Sequence, residues 1–161
     1  MSRVLPFATG GDEAEPAEDE APPDAFDFAE PVDVLSNLPE DFYTHLSSSK
    51  WKDRKELALE PLLAKLKVPR LQPGNFNELV GALAARMTDA NLFVVALAAN
   101  CVEALALGLR KEFGRYYQEV GGKMLARTKE KKASVLEPLG AALDAAFASV
   151  GQTCWACILR N

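Results

Sequence analysis

Displacing the sequence by 40 residues and then by a further 41 superimposes Arg54, Val94 and Val135; Ala58, Ala98 and Leu139; Leu62, Val102 and Leu143; and Leu66, Ala106 and Phe147. Positions that recur at this interval and recur inside each unit every three to four residues describe a helical hairpin used three times. One hairpin of about 40 residues cannot bury its apolar face alone, so consecutive hairpins must stack. The chain is therefore predicted to be all-α, a solenoid of about three helical hairpins of the HEAT-repeat kind. No strand pattern of comparable strength competes with it.

The helices are read from their start, stop and periodicity signals. "LPEDFYTHL" places Pro39 at the first position of a helix, with acids in its first turn. "WKDRKELALEPLLAKLK" carries Leu57, Leu59, Leu62, Leu63 and Leu66 near a 3.6 period, with a kink expected at Pro61. "VPRLQPG" precedes a helix at 74–87, and "TDAN" precedes "LFVVALAANCVEALALGL", which should be buried on most sides. "RKEFGRY" separates this from a helix at 115–129, weakened by Gly121 and Gly122, and "KEKKA" leads into "SVLEPLGAALDAAFASV". In this register the turns inside the three hairpins are "SSSKWKD", "MTDAN" and "KEKKA", and stacking aligns them along one edge.

That edge has an unusual composition. Trp51 stands between Lys50 and Lys52, where burying it would draw two charges inward at a cost of several kcal/mol. An aromatic displayed there, beside Asn91, Lys131 and Lys132, has the makings of an interaction hot spot.

Charge divides the 161 residues unequally. From Val4 to Ser49 there are twelve acids and no Lys or Arg, which leaves 17 basic against 11 acidic residues from Lys50 onward, a balance of +6 within a net charge of −5. The helical part is thus basic and favours an acidic partner. Residues 8–31, rich in Glu, Asp, Ala and Pro, hold too little apolar surface to offset chain entropy and read as a disordered acidic linker within residues 1–31. Sparse aromatics in acidic linkers usually bind nothing, and a short docking motif is the minor reading of Phe26 and Phe28.

Catalytic constellations are missing from the sequence. His45 has no carboxylate or cysteine cluster near it, and no "GxxxxGK[ST]", "GxGxxG" or "GxSxG" occurs, so no enzyme, cofactor or metal site is expected. Cys154 and Cys157 form a C-x-x-C outside the α/β setting of a redox site and without further zinc ligands. Three cysteines argue against a disulfide framework and for a reducing compartment, and Cys101 reads as inert core. "TKEKK" lacks the interleaved aromatics of a nucleic-acid module, and no stretch matches a membrane span or a signal peptide.

Three ordered segments carry a family resemblance: "EPVDVLSNLPEDFYTHLSSSKWKDRKELALEPL", "DANLFVVALAANCVEALALGLRKEFGRY" and "KEKKASVLEPLGAALDAAF". Together they resemble the TOG domains of the microtubule polymerase family that includes ch-TOG and Minispindles, with the nearest likeness to the second such domain. The likeness runs from about Glu30 to Val150. It implies a flat paddle of HEAT repeats, conventionally A to F, whose intra-repeat loops bind the curved αβ-tubulin dimer, repeats A to C facing β-tubulin. By that resemblance Trp51, with Lys50 and Lys52 beside it, matches the first-loop tryptophan, Asn91 the second loop, and Lys131 and Lys132 the basic third loop. It further implies action at microtubule ends and the spindle, and a place in the cytoplasm on the cytoskeleton, spindle pole or centrosome, with no cofactor, nucleic acid or membrane involved. Residues 32–150 then represent repeats A to C and residues 151–161 a divergent tail, which leaves an apolar flank near Leu139, Leu143 and Phe147. A generic HEAT scaffold for another acidic protein is the rival reading.

Overall fold

The computed structural model describes residues 25–150. The predicted linker is thus described only from Ala25, and Cys154 and Cys157 lie outside the described residues. A short helix α1 (Ala25–Phe28) and a 3-10 turn (Leu35–Asn37) lead into α2 (Phe42–Leu46). A π-helical stretch (Asp53–Leu59) runs directly into α3 (Glu60–Leu66). Then come α4 (Asn77–Arg86), α5 (Leu92–Leu109), a second 3-10 segment (Arg110–Tyr116), α6 (Tyr117–Arg127) and α7 (Ala133–Val150). Among the described residues the only β pairing is an isolated bridge between Val32 and Leu71.

The three hairpins are α2 with the π stretch and α3, α4 with α5, and α6 with α7. Their second helices stack side by side, α3 on α5 and α5 on α7, while α4 packs on α6 in the other layer. The repeat register is reproduced in space. Ala58, Ala98 and Leu139 are all fully buried, as are Leu62, Val102 and Leu143 to within a few per cent. These equivalent positions all belong to the buried core of the stack, and burial of such side chains at about 25 cal/mol per Å² is the main source of stability. α5 and α7 have the length and hydropathy of membrane spans. For α5 packing supplies the reason, because its neighbours in both layers bury it on most sides, as its apolar sequence predicts.

Four expectations are corrected. α2 starts at Phe42, not Pro39, because Pro39 closes a preceding turn in which its carbonyl accepts from Phe42 N–H at 3.0 Å. Leu57 is exposed while Leu59 is buried. The cause is Pro61, which has no N–H to return to the Leu57 carbonyl. The helix widens ahead of it, Glu60 N–H bonding to the Lys55 carbonyl five residues back, and the apolar stripe changes phase. α6 begins at Tyr117, since Arg110–Tyr116, with Gly114 inside, winds as a 3-10 segment. Leu139 and Leu143 are not an open flank, because α5 and the second 3-10 segment cover that side of α7; Phe147 remains partly exposed, its ring 5.3 Å from that of Tyr117.

Candidate protein-binding edge

The turns inside the hairpins are joined by a chain of charged groups. Arg54, on the first turns after the first loop, donates from Nη1 to the Ser48 carbonyl at 2.7 Å and from Nη2 to Asp89 Oδ1 at 3.0 Å. Its Nε lies 2.9 Å from Asp89 Oδ2, close enough for ion pairing but not aligned to donate. Asp89, on the second loop, is almost fully buried, accepts from Asn91 N–H at 2.9 Å, and has Arg86 Nη1 at 3.4 Å. From the other side Arg127, at the end of α6, donates to the carbonyls of Met87 at 2.7 Å and of Asp89, and pairs with Glu130 on the third loop at 2.9 Å. One buried carboxylate and two arginines therefore hold three loops in fixed relation. A carboxylate can be buried only when its charge and lone pairs are met, and here they are.

Sequence reasoning missed this support. Its signal was present in Arg54, a charged side chain in register with the buried Val94 and Val135. A cation at a core position requires a partner, and Asp89 in "MTDAN" is the acid within reach.

On the outer side of this scaffold Trp51 is 36% exposed, in the first turn after "SSSK". Its indole stacks on the ring of Phe93, with centroids 6.2 Å apart and planes inclined by 24°. Phe93 is itself 64% exposed, at the start of α5. Two aromatic rings from adjacent hairpins thus form a single apolar step. Phe93 was absorbed into the apolar run of α5 in the sequence, where nothing distinguished its outward face.

Asn91 serves first as the N-cap of α5. Its Oδ1 accepts from Phe93 N–H at 2.9 Å, satisfying an end-of-helix donor and fixing the backbone beneath the Phe93 ring. Lys50 and Lys52 are exposed on either side of Trp51. Lys131 and Lys132 are exposed in the third loop, and the carbonyl of Lys132 accepts the first bonds of α7 from Val135 and Leu136 at 3.0 and 3.1 Å. The edge therefore presents an aromatic step and lysines on two of the three loops, all mounted on one ionic frame.

Among the described residues no group of three or more metal-ligating side chains assembles. Burial pushes the Cys101 thiol up to about 12, so it stays protonated, with Sγ 3.7 Å from the Leu59 carbonyl. An edge of this kind is suited to recognition.

No family model matches the chain. It is 45% identical over 138 residues to "Spindle pole body component alp14" of Schizosaccharomyces pombe, covering 85% of this chain and 17% of that protein. It is 42% identical over 129 residues to "Protein mini spindles" of Drosophila melanogaster, covering 78% of this chain and 6% of that one. The chain thus spans under a fifth of the length of these relatives. Two solved structures share the fold. One, from work on microtubule plus end tracking by XMAP215, CLIP-170 and EB1, has a TM-score of 0.74 and 42% identity over 78% of this chain and 52% of its own. The other, from work on tubulin recruitment and assembly by microtubule polymerases with Tumor Overexpressed Gene (TOG) domain arrays, has a TM-score of 0.71 and 40% identity over 76% of this chain and 26% of its own. With the hairpin stack, the aligned loops and this level of identity in agreement, the chain belongs to the TOG-domain family of mini spindles and alp14.

Proposed function

We infer that this chain binds αβ-tubulin through the edge formed by its three intra-hairpin loops, chiefly on the β-tubulin side. Residues 32–150 act as TOG repeats A to C, preceded by an acidic linker at 1–31 and followed by a tail at 151–161. Trp51, stacked on Phe93, supplies the apolar anchor. Lys50, Lys52, Lys131 and Lys132 supply charge that draws in an acidic partner, and Asn91 holds the second loop in shape beside them. The role is recognition without catalysis, in a protein that works at microtubule ends and the spindle, in the cytoplasm on the cytoskeleton.

The observation that carries this reading is the run of contacts from Arg54 through Asp89 to Arg127 and Glu130, because it makes a single rigid surface from loops far apart in sequence. Preorganised surfaces lose less side-chain and loop entropy on binding, so modest contacts suffice. Size-exclusion chromatography of the chain with purified αβ-tubulin at low ionic strength tests it. The chain should co-elute with tubulin and separate again as salt is raised. Separate elution at low salt would overturn the tubulin reading and leave a HEAT scaffold for another acidic protein.

A further inference from the structure

The opposite edge of the solenoid carries a second feature. α5 runs away from the loop edge for 18 residues, about 27 Å, and ends where the connector between the first two hairpins crosses it. Leu71 N–H bonds to the Gly108 carbonyl at 2.9 Å, and a Cβ at Gly108 would come within 2.6 Å of the Leu71 side chain. Glycine at 108 is what lets the connector lie so close. Two residues further on, Arg110 adopts φ 53° and ψ −124°, the only positive φ of a non-glycine residue among those described, and its Nε donates to the Leu107 carbonyl at 3.1 Å. A non-glycine residue held in this region is strained, and such strain clusters at ligand clamps.

Two like charges from this stretch face one aromatic ring. The guanidinium carbons of Arg70, on the connector, and Arg110 stand 5.0 and 5.2 Å from the centroid of one ring, that of Phe26. Convergent cations repel each other, and an aromatic ring attracts both through its quadrupole. The backbone continues the attachment. Val32 N–H bonds to the Arg70 carbonyl at 3.2 Å, and Gln72 N–H to the Val32 carbonyl at 2.9 Å. The aromatic of the acidic segment is thus the ligand of a site on the folded domain, while Phe28, two residues on, is 76% exposed.

We propose that Arg70 and Arg110 form a peptide-binding clamp on the edge opposite the loops, specific for a phenylalanine flanked by carboxylates and occupied in cis by the Ala25–Phe28 segment. Asp27, next to Phe26 in the chain, adds a carboxylate to the same segment, and a carboxylate favours two nearby guanidinium groups. The clamp is independent of the tubulin reading, since it shares no residue with the loop edge. It fixes where the acidic linker meets the domain, and a peptide of the same pattern in trans competes for it.

The test uses the full chain carrying Phe26→Ala, which vacates the clamp, and a fluorescein-labelled peptide EAPPDAFDFAEPVD, residues 20–33. By fluorescence anisotropy the peptide should bind this variant at least tenfold more tightly than the unaltered chain. Adding Arg70→Ala and Arg110→Ala should abolish that binding. Equal affinity for the variant and the unaltered chain, no binding to the variant, or undiminished binding of a peptide with its first Phe replaced by Ala overturns the clamp. Hydrogen exchange of the unaltered chain covers the case in which Phe26→Ala loosens the fold. Millimolar peptide should accelerate exchange at the Val32 and Gln72 amides several-fold, and unchanged exchange there overturns the proposal.

Discussion

The indole of Trp51 lies on the ring of Phe93, their centroids 6.2 Å apart, and the contact joins the first hairpin to the second on the face left open to solvent. Neither ring is buried enough to be essential to the core, and each limits the freedom of the other. Rigid aromatic steps of this sort make efficient anchors, because little rotamer entropy remains to be lost on binding.

Trp51→Glu is therefore expected to weaken tubulin binding by at least about 2 kcal/mol, roughly thirtyfold, with helical content and melting nearly unchanged. Phe93→Ala should act in the same direction by about tenfold, since it removes the support beneath the indole. Affinity by fluorescence titration and circular dichroism on the same samples check both. A large fall in melting temperature for Trp51→Glu would mean that the ring belongs to the core.

Replacing Lys131 and Lys132 together by Ala should act on encounter. Both are exposed and their side chains hold no part of the fold, so melting should not move. The association rate should fall and its dependence on ionic strength should flatten, as expected when charges steer a partner. Stopped-flow association at two salt concentrations reads this out, and an unchanged rate at low salt would remove the third loop from the site.

Asp89→Ala addresses the frame itself. It removes the carboxylate with a side chain only 4% exposed and leaves Arg54, 11% exposed, without its charge partner. Breaking a buried pair from one side costs about 3 kcal/mol or more, which for a chain of this size is a melting point lower by roughly 10 °C. Thermal and urea unfolding measure it. A change of less than about 2 °C would show that the loops do not depend on this carboxylate.

Two glycines should respond in opposite directions. Gly108→Ala drives a methyl into Leu71 at 2.6 Å and should destabilise by about 1–3 kcal/mol through overpacking. Gly122→Ala, within α6, meets nothing within 4 Å and should stabilise by about 0.5–1 kcal/mol by reducing the freedom of the unfolded chain. Urea midpoints of the two variants give the comparison.

Cys101 contributes an alkaline dependence of stability. Its thiol pKa rises from 9.0 to about 12 in the fold because burial disfavours the thiolate. Between those values the unfolded chain releases a proton that the folded chain keeps. Stability therefore falls as pH rises through that window, by up to about 1.4 kcal/mol per pH unit, while below pH 9 the thiol adds no slope. Cys101→Ala should lack this component, which shows as a shallower loss of stability from pH 9 to 11 than in the unaltered chain.

Much of the architecture was legible because it rests on periodicity. Ala58, Ala98 and Leu139 repeat in sequence and are all buried in the core, and "TDAN" stops and caps helices by local chemistry that requires no tertiary information. The three loops and the exposure of Trp51 followed from that register. What escaped the sequence depends on pairs of residues far apart in it. Arg54 meets Asp89 across 35 positions and Arg127 meets Asp89 across 38, and no local pattern specifies either contact. The exposure of Leu57 escaped for a different reason, since a helix widened by one hydrogen-bond step cannot be told from a regular one by its composition. Phe26 was singled out by its isolation among acids, but its two arginine partners lie 44 and 84 residues away.

The wide turn before Pro61 also determines where the anchor points. Trp51 lies on its N-terminal side and the buried Leu62 and Leu66 on the other, and Arg54, Ala58 and Leu59 within it hold contacts of their own, so the length of the wide turn sets the azimuth of the indole relative to the core of α3. Each residue of an α-helix advances the side chains by about 100° around the axis. Shortening Asp53–Leu59 by one residue would turn Trp51 and Arg54 together by about that angle relative to α3, parting the indole from Phe93 and the guanidinium from Asp89. The aim of the tryptophan is thus written in how many residues separate it from the proline, and a single-codon insertion or deletion is enough to re-aim it.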